Sequence, residues 1–207
     1  MSSEVARRGV CLVVAAPSGG GKGTILRDVL AVEPRLGLSV SATTRAPRVG
    51  EHDGVHYHFT DEAGFERMVA EGAMLEHATV FGRSYGTPRG PVEAALAAGR
   101  DVAFDIDWQG HRQVRAALPG DVVSVFVLPP SMGVLEARLR GRGDGEAEVG
   151  RRMDAARSEI GHWDEFDHVI VNEALDVAVG EVRAVLAAAR SMRVRMSGLA
   201  GFVASLG

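Results

Sequence analysis

Val10-Cys11-Leu12-Val13-Val14-Ala15 runs directly into Ala16-Pro17-Ser18-Gly19-Gly20-Gly21-Lys22-Gly23-Thr24, and the reading of this junction decides the fold. The first segment is an unbroken apolar run stopped by a Pro/Gly loop, the pattern of a strand buried on both faces of a parallel sheet. Residues 22–32 behind the loop read as a helix. Small residues let the loop backbone wrap a polyphosphate with its N–H groups inward, and the helix adds its positive N-terminal end. Lys22 then reaches the terminal phosphates. It is the only lysine among 23 Lys and Arg residues, so this one position keeps a compact ammonium where the rest of the chain uses the planar guanidinium. The match to G-x-x-x-x-G-K-[ST] is imperfect. Ala16 replaces the first glycine, and Gly23 stands where a hydroxyl usually meets Mg²⁺. Thr24 comes one residue late, about 100° further round the helix, and does not simply substitute. The metal is then expected to rest on phosphates, waters and another carboxylate.

The composition bounds what such a protein does. At 207 residues, 46% hydrophobic and 24% charged, the chain suits one globular domain or a core with insertions. A net charge of −4 argues against broad binding to nucleic acid or an anionic membrane. Cations that grip phosphate must therefore be few and placed. Cys11 is the sole cysteine, so no internal disulfide forms; it reads as a small buried hydrophobe in a reducing, cytoplasmic setting. Arg7-Arg8 ahead of the apolar run imitates a signal peptide, but the run is too short to span a membrane.

Working outward, strands are expected at 38–43, 101–107, 122–128 and 168–171. Helices are expected at 109–118, 131–140, 151–162 and 174–195, with a glycine-rich stretch at 141–150. Apolar strands alternating with helices predict a parallel α/β sheet. Residues 44–90 break that rhythm and read as an inserted sub-domain, with strand-like pieces at 55–60 and 75–81 around a helix at 61–71. A further helix starts at Thr87-Pro88, with proline in its first turn, and runs to about residue 98.

Three more groups carry chemistry. Arg45 and Arg48 bracket Pro47 beyond the second strand, where open α/β sheets bind ligands. Two guanidinium forks at that spacing suit a monophosphate, and Tyr57 and Tyr85, the only tyrosines, supply hydroxyl donors. Asp105 and Asp107, two apart on an expected strand, face one side; the alternative is that one of them caps the next helix. Arg138, Arg142, Arg151 and Arg152 form a third basic group around the glycine-rich stretch. His52, His56 and His58 cluster but lack the further ligands a metal needs, and Trp108 and Trp163 read as packing.

Taken in order, Ala16 to Thr24, Ser39 to Arg48 with Gly50-Glu51-His52-Asp53-Gly54-Val55-His56-Tyr57-His58-Phe59, Met74-Leu75-Glu76, Tyr85-Gly86-Thr87-Pro88, Asp105-Ile106-Asp107-Trp108-Gln109-Gly110, Gly141-Arg142-Gly143 and Val169-Ile170-Val171-Asn172 resemble the guanylate kinase family of the bacterial and yeast type, over roughly residues 9–195. The resemblance implies a P-loop NTPase-type parallel sheet core (1–40, 91–130 and 166–207), an inserted GMP-binding sub-domain (41–90) and a helical lid (131–165). It implies in-line phosphoryl transfer, ATP + GMP giving ADP + GDP, with Mg²⁺. The loop 16–24 with Arg138 and Asn172 would bind ATP. Arg45, Arg48, Tyr57 and Tyr85 would bind the GMP phosphate, and Ser41, Glu76 and Thr87 would read guanine. Asp105 would lie nearer GMP and Asp107 nearer the metal or its waters. Lys22, Arg45, Arg142 and Arg152 would serve catalysis. The lid is one residue shorter than the family pattern between Arg142 and Arg152, which leaves Arg151 as an alternative. Members of the family are often dimers or larger, so a homo-oligomer is compatible. Two rivals stand beside this reading: a sugar-phosphate kinase of the same architecture, which should lack the Ser41, Glu76 and Thr87 set, and a non-catalytic binding module, which should carry a degraded loop and lid.

Overall fold

The apolar run forms β1 (Cys11–Ala15), buried at every position, and the glycine loop opens α1 (Lys22–Val32). The chain continues through β2 (Leu36–Leu38), β3 (Ala42–Thr43), β4 (His58–Phe59), α2 (Glu62–Ala70), β5 (Met74–Val80), β6 (Arg83–Pro88), α3 (Arg89–Ala97), β7 (Asp101–Asp105) and α4 (Trp108–Ala117). It closes with β8 (Val122–Leu128), α5 (Met132–Arg140), α6 (Glu146–Ile160), β9 (His168–Val171), α7 (Leu175–Arg190) and α8 (Leu199–Ala204). The computed structural model describes residues 5–80, 82–141 and 145–207.

Two sheets result. A five-stranded parallel sheet has the order β2-β7-β1-β8-β9, and a four-stranded sheet has the order β4-β3-β6-β5. In the first, β1 lies between β7 and β8, so the phosphate loop leaves the carboxyl end of the central strand, where the connections diverge and ligands bind. Successive residues of β1 serve opposite faces. Leu12 and Val14 join Ile25, Leu26 and Val29 of α1 and Val182 and Leu186 of α7. Cys11, Val13 and Ala15 join Val92 and Leu96 of α3 and Val114 of α4. The strand is hydrophobic without alternation because both faces are covered. Smaller clusters hold α5 to α6 through Leu135, Leu139, Val149 and Met153, and α2 to the second sheet through Phe65, Ala42 and Met74.

The opposite end of the core sheet is tied by ions. The Asp101 carboxylate accepts from Arg7 and Arg190, each at 2.7 Å, and from the Val10 N–H at 2.9 Å. Burial alone would push its pKa up, but these donors outweigh it and hold the carboxyl below its usual range.

Several boundaries differ from the sequence expectation. The single strand expected at 38–43 is two: β2 belongs to the core sheet and β3 to the second, with residues 39–41 crossing between them. The helix expected from Thr87 begins at Arg89. Thr87 and Pro88 end β6, a strand that the sequence pattern concealed behind Ser84, Gly86 and Pro88, and Pro88 is the helix N-cap rather than a first-turn residue. Proline is tolerated there because a strand terminus spares it a ladder hydrogen bond. The helix expected at 151–162 starts at Glu146, where Glu146 and Glu148 favour the positive end of α6; Gly150 inside it weakened the signal. The final helix stops at Arg190, followed by a short 3-10 turn at Arg193–Arg195 and then α8.

Candidate active site

The loop is shaped by backbone geometry that only glycine adopts freely. Gly19 and Gly21 have φ of 85° and 96°, in the left-handed region where a Cβ is penalised. A Cβ on Gly21 would also stand 2.7 Å from the Asn172 side-chain nitrogen. Asn172, buried beyond β9, donates through Nδ2 to the Gly20 carbonyl at 3.2 Å. Its own backbone carbonyl accepts from Arg138 Nη2 at 3.1 Å. Asn172 therefore clamps the loop from beneath. The other terminal nitrogen of Arg138, Nη1, is buried with no hydrogen-bond partner among the described residues. Gly23 differs from its neighbours: a Cβ there would meet nothing within 4 Å.

Lys22 Nζ lies 2.7 Å from Asp105 Oδ1 and donates to the Ile106 carbonyl at 3.1 Å. The loop shares a cavity of about 480 Å³ with Arg27, Asp107 and Glu159. Asp105 and Asp107 do not both sit on a strand as expected. β7 ends at Asp105, and Asp107 is the N-cap of α4, its Oδ1 accepting from the Gly110 N–H at 2.9 Å. The helix's unpaired amides ended the strand early, because a carboxylate two residues on could satisfy one of them. One oxygen of Asp107 is thereby committed, and the residue still faces the phosphate cavity.

The second sheet presents two polar sites. Arg45 donates to Glu51 Oε1 at 2.8 Å and to the Ala46 carbonyl at 2.8 Å. Its guanidinium lies 5.2 Å from the Tyr57 ring centroid, and Tyr57 meets Tyr85 edge-on at 6.2 Å. The Arg48 N–H donates to the other Glu51 oxygen at 2.7 Å. Hydrogen bonds from Arg45 and from the Arg48 backbone hold the Glu51 carboxyl down, at about 2. Glu51 thus ties the Arg45 guanidinium to the backbone of Arg48.

Deeper in that sheet, Glu76 on β5 is 7% exposed and pairs in register with Thr87 on β6, 1% exposed. The Thr87 hydroxyl donates to Glu76 Oε1 at 2.7 Å. Burial raises the Glu76 pKa, countered in part by this hydroxyl, and nearby Asp107 raises it further. A Cβ on Gly110 would lie 3.5 Å from Glu76 Oε2, so the start of α4 brings this carboxylate close to the phosphate end of the core sheet. Ser41, half-buried, enters β3, and its carbonyl accepts from the His58 N–H at 2.8 Å.

On α6, both Arg151 and Arg152 turn to Glu148: Arg152 Nε donates to Oε1 at 3.0 Å, and Arg151 pairs with Oε2. Arg142 lies outside the described residues. Away from these sites, the His52 N–H donates to His56 Nδ1 at 3.0 Å, and no group of three His, Cys, Asp or Glu among the described residues could hold a metal. Trp108 stacks on His162 at 3.6 Å beneath Arg112, which is packing.

Sequence reasoning missed three carboxylates, Glu51, Glu148 and Glu159. Glu51 had a local signal, three residues after Arg48, and Glu148 had one too, at helical spacing before Arg151 and Arg152. Glu159, which accepts from the Ser18 N–H at 2.7 Å, had none.

A parallel sheet whose central strand delivers a lysine-bearing glycine loop, faced by a second sheet with a buried carboxylate and an arginine-tyrosine cluster, defines a P-loop nucleotide phosphotransferase. The guanylate kinase family model matches residues 8–189. The chain is 60% identical over 204 residues to the guanylate kinase of Gluconobacter oxydans, covering 98% of each. It is 57% identical over 204 residues to that of Granulibacter bethesdensis, covering 99% of this chain and 96% of the other. The crystal structure of guanylate kinase from Anaplasma phagocytophilum aligns with a TM-score of 0.75 at 34% identity, covering 97% of this chain and 96% of that one. The chain belongs to the guanylate kinase family, and it is an enzyme of the nucleoside monophosphate kinase type.

Proposed function

We propose that this chain transfers the γ-phosphoryl group of ATP to GMP, giving ADP and GDP. The observation that carries the reading is the buried Glu76 carboxylate, held by Thr87 and brought near the phosphate loop. An ionised carboxylate accepts two hydrogen bonds, and guanine offers N1–H and its exocyclic amine as adjacent donors. Adenine lacks that pair, so a site built this way rejects it. Ser41 stands at the same sheet and completes the guanine contacts.

The geometry supports the roles that the resemblance implies. The loop 16–24 receives the ATP phosphates, with Asn172 and Arg138 supporting it from below. Lys22 leaves Asp105 for the terminal phosphates, where a point charge neutralises the oxygens without fork geometry. Arg45 exchanges Glu51 for the GMP phosphate, joined there by the Arg48 guanidinium, with the Tyr57 and Tyr85 hydroxyls beside it. The GMP oxygen then attacks the γ-phosphorus in line, with no covalent intermediate on the protein. Positioning and charge neutralisation by these cations lower the barrier. Arg152 from α6 joins them, Arg151 being its alternative, with Arg142 as the lid partner that the resemblance implies.

The residues suit a magnesium ion held chiefly by phosphate and water: open space stands over Gly23, and Asp107, which engages Gly110 through Oδ1, lines the cavity. When bound, the ion screens charge and aligns the phosphates. Asp107 would orient its waters. In the same reading the work is cytoplasmic and involves neither nucleic acid nor membrane; no described helix is long and apolar enough to cross a bilayer.

A coupled assay of ADP release tests the proposal with GMP, AMP, UMP and ribulose 5-phosphate as acceptors. Turnover is expected with GMP alone. Equal turnover of AMP would overturn the guanine assignment, and no turnover with any acceptor would favour a binding module.

A further inference from the structure

The Ser18 N–H donates to Glu159 Oε2 at 2.7 Å, across 141 residues of sequence. Ser18 is part of the phosphate loop, and Glu159 is on the last turn of α6. The two line one cavity with Asp107 and Arg27. Glu159 also follows Arg152 by seven residues, two helical turns, so both lie on one side of α6. A loop of inward N–H groups is an anion site, and here the anion facing it belongs to the protein. The pattern recurs: Asp105 engages Lys22, Glu51 engages Arg45, and Glu148 engages Arg152. Those three carboxylates pair with cations that gain a phosphate in exchange. Glu159 instead accepts from a neutral amide, so approaching phosphates repel it without offering it a new partner.

We propose that Glu159 is a positioning residue: its carboxylate holds the last turn of α6 on the phosphate loop as a stand-in anion, and the polyphosphate of the nucleotide displaces it, freeing that end of the helix to pivot so that Arg152 meets the phosphates. This rests on the loop being the ATP phosphate site. The charge opposes nucleotide binding, so affinity for polyphosphate is lower than the loop alone would give. Unit charges about 6 Å apart interact appreciably in a partly solvated site and weakly in high salt.

The test is calorimetric titration of the full-length protein with inorganic tripolyphosphate, ATP and adenosine. Glu159→Gln keeps an acceptor for Ser18 but removes the charge. It should bind tripolyphosphate and ATP roughly three- to tenfold tighter at low salt, with the gain fading near 0.5 M salt and adenosine binding unchanged. Glu159→Asp keeps the charge and should stay within about twofold of the parent. Amide hydrogen exchange in the last turn of α6 should rise in the parent on adding tripolyphosphate, and should rise at lower tripolyphosphate in Glu159→Gln; no rise in the parent overturns the displacement. Unchanged or weaker tripolyphosphate binding by Glu159→Gln overturns the proposal, and equal weakening in Glu159→Gln and Glu159→Ala makes the residue a plain strut. Because tripolyphosphate binding needs no acceptor, it reads this inference separately from GMP phosphorylation.

Discussion

Replacing Glu76 by glutamine separates recognition from stability. The carboxylate is 7% exposed and receives the Thr87 hydroxyl on one oxygen, which leaves the other oxygen and the remaining lone pairs for guanine. Charge-assisted hydrogen bonds contribute roughly 1.5–3 kcal/mol each. The amide retains one acceptor, loses the charge, and turns a donor toward a base that also donates. A loss of about 3–4 kcal/mol in the transition state follows, which is roughly 10²- to 10³-fold in kcat/KM for GMP. ATP affinity should move by less than about twofold, since the proposed ATP site is made of other groups. Stability moves the other way. Burial raises the Glu76 pKa, so the folded protein binds that proton more tightly than the unfolded chain. The parent protein therefore loses stability as pH rises from the ordinary glutamate range through the raised value, and the glutamine variant does not. At neutral pH the variant should melt higher, by about 2–4 °C for each kcal/mol relieved in a chain of this length, and the two should converge near pH 4. Steady-state kinetics with GMP and thermal melts across pH measure both effects. A GMP kcat/KM within threefold of the parent would refute the assignment of Glu76, and a lower melting temperature at neutral pH would refute the account of its burial.

Other outcomes follow from the same geometry. Lys22→Arg should lower kcat by about 10²-fold or more, because a fork replaces a point charge at preorganised phosphates; single-turnover kinetics would show it. Gly21→Ala should abolish ATP binding, since φ is 96° and a Cβ would meet the Asn172 nitrogen at 2.7 Å. Gly23→Ser should fold normally in its open space and lower the Mg²⁺ concentration that half-saturates activity, read by metal titration. Asp101→Asn should destabilise by about 3 kcal/mol in a urea melt, chiefly by leaving the Arg7 guanidinium without its carboxylate, since Arg190 keeps Glu33 at 2.7 Å. Asp101's pKa is held down, so its contribution is present above the ordinary aspartate range and fades as pH falls through the folded value; the variant's deficit should shrink in acid.

The site was legible wherever a residue's chemistry and its immediate neighbours define its role. The phosphate loop announced itself through glycines that must reach positive φ, and α1 followed it at the expected residues. The crossing at 39–41 was not legible, because a short strand in one sheet and a shorter one in the next look like one strand until their partners are known. β6 was hidden for a related reason: its small and proline residues carry no alternation, and it is held by its register against β5.

By itself the sequence determined the parallel core, through an apolar run that only a strand buried on both faces explains, and the chemistry of the loop, through Lys22 and its glycines. It also named Glu76, Thr87 and Arg45 as residues of interest. Tertiary structure alone decided who faces whom. Lys22 meets Asp105, Arg45 turns inward onto Glu51, Asp107 caps a helix, and Glu159 reaches the Ser18 amide from a distant helix. Periodicity and propensity act over a few residues and can be read along the chain, whereas a charge takes the partner that packing brings within about 3 Å, and packing is settled only when the sheets and helices have closed on one another.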